Sequence, residues 1–337
     1  MKALFYPAWG ELDIRTVHTP PLARGEVLLR VSHCGICGSE LETFRTASPR
    51  RTPPLIMGHE FCGRVEKVCD ADQQHLKGRR VISHATVHCG TCPACHRGDT
   101  NLCVHRQVFG MHRPGAFAEY LAVPERVLIP WPENLPGEKA IFAEPLANGI
   151  NAMRQGRTER KSRVVVIGAG PIGLMCLFAA KRLYQSNVII SDLIPERLQV
   201  AHLLGADLTV NVFLQNLASE CKRHWGGERA EYVIDAAGSA ETKRISLEIV
   251  EPGGMVVWVG LHENRIELDS YALTLDQKCV AGSYSGSMDD LRQAAQLLAV
   301  EDFDMSWATL YPLDEADAGF YEVLRDDAKT IKTILKL

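Results

Sequence analysis

The chain has 337 residues, of which 46% are hydrophobic and 23% are charged, and its formal net charge is −4. This length suits two domains, because single hydrophobic cores seldom grow beyond roughly 250–300 residues. The slightly acidic balance excludes the basic surface that nucleic-acid binding requires, so we expect no nucleic-acid partner. No apolar run reaches the roughly 20 residues that cross a bilayer, so we expect no membrane association.

Cysteine usage and the first residues indicate a reducing compartment. Residues 1–15 become polar too early for a secretory signal, which favours a cytoplasmic protein. The 11 cysteines are an odd number, and in a reducing compartment metal ligation explains them better than disulfides.

The first 150 residues consist of short β segments broken by proline and glycine. Alternating, β-branched stretches predict strands at 26–33, 59–68 and 79–83. The last stretch, 285–337, contains an amphipathic helix at 288–299 and a strand at 330–337. It is too short to bury a core of its own, so we expect it to pack on the first domain.

From about residue 162 apolar runs alternate with helical segments, which is typical of a parallel sheet covered by helices on both faces. The runs that predict strands are 163–167, 187–191, 232–234 and 255–259. The sequence therefore predicts an α/β protein.

Four closely spaced cysteines predict a zinc-binding lobe at 88–104. Cys89, Cys92, Cys95 and Cys103 follow the pattern C-x2-C-x2-C-x7-C. Such turns point sulfurs inward, and four thiolates leave no open coordination position, so this ion would be structural. An iron–sulfur cluster also uses four cysteines and is the alternative.

A glycine-rich loop after a buried strand predicts a dinucleotide site. The loop Gly168-Ala169-Gly170-Pro171-Ile172-Gly173 has the G-x-G-x-x-G pattern and leads into a helix. Asp192, which follows the next apolar run, would bind the adenosine ribose and repel a 2′-phosphate, so NAD is favoured over NADP. Arg197 would soften that preference. Alternatively, Asp192 only opens the following helix.

Three distant segments contain further candidate metal ligands: Cys34 with Cys37, His59 with Glu60, and Glu144. Each has a simpler explanation. The C-x-x-C could be a redox pair, the histidine could be a hydrogen-bonded core residue, and Glu144 could begin a helix. The residues alone leave these alternatives open.

The motifs GICGSE, GHE, the four-cysteine lobe, AEPLAN, VIGAGPIG and KTIKTIL resemble the zinc-containing medium-chain dehydrogenase/reductase family in order and spacing. The sorbitol and threonine dehydrogenase branch is the most similar. The resemblance implies a GroES-like catalytic domain at 1–150 and 285–337, and a Rossmann cofactor domain at 151–284. It also implies an active site in the cleft between them, and homodimers or homotetramers. The run 255–259 is a candidate edge for such association.

The resemblance also assigns roles to individual residues. Cys37, His59 and Glu144 would hold a second, catalytic zinc ion, with Glu60 as an alternative ligand that pairs with Lys332. Glu40 stands where most members have Asp and would fix the His59 ring.

The resemblance further implies a proton relay and additional cofactor contacts. Ser39 would take the substrate proton, and Glu42 stands where many members place the histidine that ends the relay. Val259, Gly260 and Gly282 complete the expected cofactor-binding set.

The substrate is expected to be a small alcohol. The polyol dehydrogenases have an arginine that grips substrate hydroxyls where this chain reads Gly-Ser-Tyr-Ser-Gly at 282–286, which weakens a sorbitol-like assignment. Phe44, Phe117 and Tyr284 are candidate cleft residues, with core packing as the alternative. Arg45, Arg50 and Arg51 flank the first catalytic motif and are candidate contacts for an anionic substrate, with simple solvation as the alternative.

The leading hypothesis is a hydride transfer between NAD and a secondary alcohol of a polyol, cyclitol or sugar derivative. The first alternative is an L-threonine or aminocyclitol dehydrogenase of the same family. The non-enzyme alternative is a nucleotide-binding redox sensor.

Overall fold

The computed structural model describes residues 1–156, 161–325 and 330–337. These residues form two compact units, Met1–Glu144 with Ser287–Leu337, and Pro145–Gly286. The limits predicted from the sequence lay at 150/151 and 284/285. In the described ranges, no helix is both long and apolar enough to span a membrane.

The first unit is rich in short strands. Its strands are β1 (Lys2–Tyr6), β2 (Asp13–Thr16), β3 (Glu26–Gly35), β4 (Leu55–Ile56), β5 (Glu60–Val68), β6 (Arg80–Ser83), β7 (Thr86–Val87), β8 (Gln107–Val108), β9 (Tyr120–Pro124) and β10 (Leu128–Pro130). Its helices are α1 (Gly38–Thr46), α2 (Pro93–His96) and α3 (Gly137–Ala140), and α4 (Ala143–Arg154) crosses into the second unit.

The main sheet of this unit has seven strands and is centred on β3, which pairs antiparallel with β5 and β9. The C-terminal segment returns to this sheet. Its elements are α10 (Met288–Val300), β17 (Ala308–Pro312), α11 (Ala316–Leu324) and β18 (Lys332–Lys336), and β18 pairs antiparallel with the end of β3. The end of β3, the start of β5 and β18 thus lie side by side, which places Gly35 opposite both Glu60 and Ile334.

The second unit is a parallel six-stranded sheet with helices between the strands. Its elements are β11 (Arg163–Ile167), α5 (Pro171–Tyr184), β12 (Asn187–Asp192), α6 (Pro195–Leu203), β13 (Leu208–Asn211), α7 (Leu217–His224), β14 (Ala230–Asp235), α8 (Ala240–Ile249), β15 (Val250–Trp258), α9 (Ser270–Leu275) and β16 (Cys279–Gly282). The strand order β13-β12-β11-β14-β15-β16 is the doubly wound Rossmann order. The predicted α/β fold class is confirmed.

One predicted surface is wrong. We expected the run 255–259 to form an edge for association between subunits. Most of it lies in β15, which pairs with β14 on one side and β16 on the other, so its backbone hydrogen bonds are already used within the sheet. The edges of this sheet are β13 and β16.

Candidate metal centres and cofactor site

The four cysteines of the lobe converge. Ligand atoms of Cys89, Cys92, Cys95 and Cys103 all lie within 4.8 Å of one another. The amide and hydroxyl of Thr91 donate to Cys89 Sγ and lower the pKa of Cys89 to about 5. A thiolate is the form that binds zinc, so the sulfur geometry and the donor set fit a structural zinc ion.

A second group of candidate ligands forms where three strands meet. Cys37 precedes α1, His59 precedes β5 and Glu60 opens that strand, and their ligand atoms lie within 4.8 Å of one another. His59 follows Gly58, whose φ of 101° and close approach to Phe117 leave no room for a side chain. Sulfur, imidazole and carboxylate are zinc ligands, and three protein ligands leave a position open for a substrate oxygen.

Glu40 orients the imidazole of this group. Its Oε1 lies 3.0 Å from His59 Nδ1 and accepts from the Gly58 amide at 2.8 Å, while its Oε2 accepts from the Cys37 amide at 2.9 Å. The contact leaves His59 Nε2 to face a metal ion. The longer side chain, compared with the aspartate of most family members, therefore still reaches the ring.

Glu40 and Cys37 favour positive charge at His59. Burial alone would raise the pKa of Glu40, but His59 and Arg51 outweigh it and lower the pKa to about 2. Burial likewise opposes protonation of His59, yet Glu40 and Cys37 raise the pKa of His59 well above its ordinary value. Surroundings that hold a proton on the imidazole attract a metal ion for the same electrostatic reason. The residues present therefore fit a catalytic zinc ion.

Glu60 also forms an ion pair with a buried lysine. Lys332 Nζ on β18 donates to Glu60 Oε2 and, at 2.9 Å, to the Ile36 carbonyl. Both side chains of the ion pair are almost fully buried, at 1% and 2% exposure. Glu60 therefore has a protein partner and at the same time lies among the candidate ligands.

Glu144 is not one of the clustered ligands in the described part of the chain. It is buried near the start of α4, and its role as a zinc ligand stays a prediction. Cys34, the other half of the C-x-x-C, is fully buried. Burial together with Glu40 and Glu60 raises its pKa well above the ordinary value, which disfavours the nucleophilic thiolate that a redox pair needs.

The two predicted relay residues lie on α1. Ser39 Oγ lies 3.3 Å from Cys37 Sγ, beside the candidate ligands. Glu42 is exposed on the same helix, and its part in a proton relay stays a prediction.

The glycine loop of the second unit has the form of a phosphate cradle. Gly168 has a φ of 97°, and a Cβ on Gly173 would lie 1.8 Å from the Gly168 carbonyl oxygen. Gly170 caps the start of α5, and a Cβ built at this position would have no neighbouring atom within 4 Å. Pro171 and Ile172 begin the helix. This backbone leaves room for a pyrophosphate at the start of a 14-residue helix.

Asp192 lies at the end of β12 and borders a cavity of about 490 Å³. Its two carboxylate oxygens accept hydrogen bonds from the Ala169 and Ile194 amides at 2.7 and 2.9 Å. Arg197 Nη1 lies 3.8 Å from the same carboxylate and also lines the cavity. We expect the adenosine part of a dinucleotide at this cavity, because Asp192 borders it. Leu193 and Val212, apolar residues after strands and missed from the sequence, line it as well.

The remaining predicted cofactor residues lie at the carboxyl ends of the neighbouring strands. Val259 and Gly260 follow β15, and Gly282 ends β16. Their loop depends on Asp235, which sequence reasoning missed. The Asp235 carbonyl accepts from the Val259 and Gly260 amides, and its buried carboxylate accepts from the Gly238 amide at 2.9 Å. An acidic residue that ends a strand, as Asp192 does, is the signal that could have revealed it.

Two aromatic side chains expected near the substrate pack in the first unit. Phe44 contacts the rings of Tyr6, Phe320 and Tyr321, and Phe117 is fully buried. Core packing, the alternative, describes both of them.

Two family models match the chain. The model of the alcohol dehydrogenase GroES-like domain matches residues 23–133, and that of the zinc-binding dehydrogenase matches residues 171–300. The first match contains both groups of clustered ligands, and the second begins within the glycine loop.

Relatives span nearly the whole chain. A D-arabitol-phosphate dehydrogenase from Enterococcus avium is 31% identical over 98% of this chain and 95% of its own. An L-threonine 3-dehydrogenase from Rhizobium rhizogenes is 31% identical over 86% and 84% of the two chains. The solved structure of a short chain alcohol dehydrogenase from E. coli CFT073 in complex with NADH is similar, with a TM-score of 0.92 at 27% identity, covering 100% of this chain and 99% of that one.

The fold, the two ligand groups and the glycine loop together define a zinc-dependent dehydrogenase. The chain belongs to the zinc-containing medium-chain dehydrogenase/reductase family, as the resemblance predicted. It is an NAD(P)-dependent enzyme of the alcohol and polyol dehydrogenase type.

Proposed function

We propose that this enzyme oxidises a secondary alcohol of a polyol, cyclitol or sugar derivative, with NAD as the hydride acceptor and two zinc ions per chain. The observation that carries the proposal is the group formed by Cys37, His59 and Glu60 beside the Ser39 hydroxyl. When bound, zinc lowers the pKa of the alcohol and NAD accepts the hydride.

The residues of the chain supply ligands and a proton path. Glu40 Oε1, 3.0 Å from His59 Nδ1, would keep a proton on Nδ1 and leave Nε2 for the metal. Ser39 Oγ would accept the proton of the substrate hydroxyl as its own proton leaves. For each alcohol oxidised, one proton would leave through Ser39, and bound NAD would supply the hydride acceptor. Glu144 is proposed as a further ligand that replaces or joins Glu60.

The segment 282–286 supports a substrate other than sorbitol. Asn151 Nδ2 donates to Ser283 Oγ at 3.2 Å and to the Ser285 carbonyl at 2.6 Å, and Ser285 adopts a φ of 55°. These contacts lie within the second unit, and the segment has no arginine to bind polyol hydroxyls.

An L-threonine or aminocyclitol dehydrogenase is the second candidate function. It is favoured by the 31% identity to an L-threonine 3-dehydrogenase, equal to that of the D-arabitol-phosphate dehydrogenase. The substrates of the two candidate functions differ in the charge next to the reacting alcohol. Threonine has an ammonium and a carboxylate group there, whereas polyols, cyclitols and sugar derivatives have neutral hydroxyls or a phosphate.

An NAD-reduction screen with matched substrate pairs tests the function. The panel is D-arabitol with D-arabitol 1-phosphate, galactitol with galactitol 1-phosphate, myo-inositol, and L-threonine with L-allothreonine. We expect NADH formation with at least one polyol, cyclitol or sugar phosphate. Turnover of L-threonine alone would select the second candidate, and no turnover at all by a two-zinc preparation would support the redox sensor.

Replacing Asp192 is expected to reverse the cofactor preference. In Asp192→Ser the repulsion of a 2′-phosphate is lost and Arg197 can pair with that phosphate. A charged hydrogen bond contributes about 1.5–3 kcal/mol, so the ratio of NADH to NADPH affinity should fall by at least about tenfold. Fluorescence titration measures both dissociation constants. The variant Asp192→Ser/Arg197→Ala is the control and should lose the gain in NADPH affinity; an unchanged ratio in Asp192→Ser contradicts the assignment.

We also propose that the protein forms homodimers or homotetramers through the second unit. β16 is an edge strand, and Tyr271 and Leu275 on the preceding helix are 80% and 81% exposed. Apolar side chains beside a free strand edge favour association. Light scattering coupled to size-exclusion chromatography measures the number of subunits, and a monomer would contradict this part of the proposal.

A further inference from the structure

Arg51 is a buried cation next to the proposed relay residue. The sequence offered it as a contact for an anionic substrate, but only 2% of the residue is exposed. Its hydrogen bonds in the described residues use Nε, Nη1 and Nη2. Nε donates to the Gly110 carbonyl at 3.1 Å, and Nη1 donates to the Ser39 carbonyl at 2.8 Å and to Thr43 Oγ1 at 3.3 Å. The guanidinium is therefore committed to the protein and cannot bind an anionic substrate in this arrangement.

The remaining hydrogen bond of Arg51 reaches the hydroxyl of the proposed relay residue. Arg51 Nη2 donates to Ser39 Oγ at 2.9 Å. We propose that Arg51 is a positioning residue that fixes the Ser39 hydroxyl for proton transfer; this inference rests on the proposed function.

The donor and acceptor capacity of the two groups supports a directional role. A serine hydroxyl has one hydrogen and two lone pairs, whereas a guanidinium has only donors and stays protonated. Arg51 therefore occupies one lone pair of Ser39 Oγ and can never receive its proton. One lone pair remains for the substrate hydroxyl, and the serine hydrogen must point away from Arg51. A lysine or a water molecule would not impose the same planar geometry.

The cost of burying this cation is partly offset by Glu40. Glu40 is fully buried, and Arg51 helps to lower its pKa to about 2, after the larger effect of His59. Glu40 and Ser39 are neighbours on α1, so Arg51 interacts with the residue that orients His59 and with the residue that moves the proton. The arginine links the two functions of this helix.

A double-mutant cycle with Ser39 separates positioning from structural support. Arg51→Met should lower kcat by about 10- to 100-fold and change KM by less than about threefold. This loss is a part of the roughly 10²–10⁴-fold rate enhancement that a positioned proton-transfer group contributes. In the Ser39→Ala background the same change should lower kcat by less than about twofold. Effects that multiply in the double variant would overturn the proposal.

Two further variants control for folding. Thr43→Val removes one acceptor of Arg51 but leaves Ser39 Oγ in place, and should keep kcat within about threefold. Arg51→Lys keeps a donor and should recover part of the loss. If Arg51→Met fails to retain two zinc ions and NADH affinity, the cycle is carried out with Arg51→Lys, and multiplication of its effect with Ser39→Ala overturns the proposal.

A crystal structure of Arg51→Met gives a readout that needs no substrate. Ser39 should occupy more than one rotamer, while α1 keeps its backbone position. A single unchanged Ser39 rotamer would overturn the positioning role. The crystal structure also distinguishes the two proposals. An enzyme that oxidised no alcohol in the screen would refute the proposed function, whereas the Ser39 rotamers would still test the role of Arg51.

Discussion

Cys37→Ala is expected to abolish alcohol oxidation and to lower the zinc content from two ions per chain to one. Cys37 Sγ lies within 4.8 Å of the ligand atoms of both His59 and Glu60, whereas the four-cysteine lobe is a separate group. A bound metal supplies several kcal/mol of charge stabilisation, and each 1.36 kcal/mol is tenfold in rate. The rate should therefore fall by at least about 10³-fold. Metal analysis and NADH formation on the best alcohol of the panel measure the two effects.

Cys34→Ala is the matched control, because it removes the other sulfur of the same C-x-x-C. Cys34 is fully buried, and its thiol contacts the Gly35 carbonyl at 3.7 Å. This variant should retain two zinc ions and most of the rate. Equal losses in the two variants would support the redox pair, and an unchanged zinc content in Cys37→Ala would refute the catalytic zinc. NADH should bind both variants, since the glycine loop lies in the second unit.

Much of the fold could be predicted because its strands have strong local signals. The run 163–167 coincides with β11, since a strand buried on both faces of a parallel sheet is continuously apolar. The helix predicted at 288–299 is α10 with one residue added at its end. Which strands lie at the edges of a sheet depends on pairing between residues that are far apart in the sequence. The sequence alone therefore does not show that the run 255–259 lies inside the sheet of the second unit.

The two candidate zinc sites also differ in how far the sequence predicts them. The cysteine lobe is contained in one short segment, so spacing alone predicts that its sulfurs converge. The second group requires Cys37 to meet His59 and Glu60, which follow more than 20 residues later and after an intervening helix, and only the family resemblance indicated this. No pattern in the sequence could show that Arg51 bonds Ser39 rather than a substrate, because Gly110, another of its partners, comes from a distant loop.

Lys332→Met should be among the most destabilising single substitutions in the first unit. Lys332 is 1% exposed, and its Nζ donates to Glu60 Oε2 and to the Ile36 carbonyl. Burial opposes its charge, but Glu60 outweighs burial and raises the pKa of Lys332. The substitution leaves the Glu60 carboxylate buried without its cation. Breaking a buried pair in this way typically costs about 3–5 kcal/mol in the free energy of unfolding.

Lys336→Met on the same strand is the matched control, because Lys336 is exposed, and it should change the free energy of unfolding by less than about 0.5 kcal/mol. The double variant Glu60→Gln/Lys332→Met removes both charges and should regain most of the stability lost in Lys332→Met. Urea unfolding of the zinc-loaded protein, followed by tryptophan fluorescence, measures these changes; Trp9, Trp131 and Trp307 report on the first unit. If Lys332→Met were as stable as Lys336→Met, Glu60 would have found another cation, and zinc is the cation that the clustered ligands offer it. A zinc affinity raised in Lys332→Met would then identify Glu60 as a metal ligand that Lys332 normally restrains.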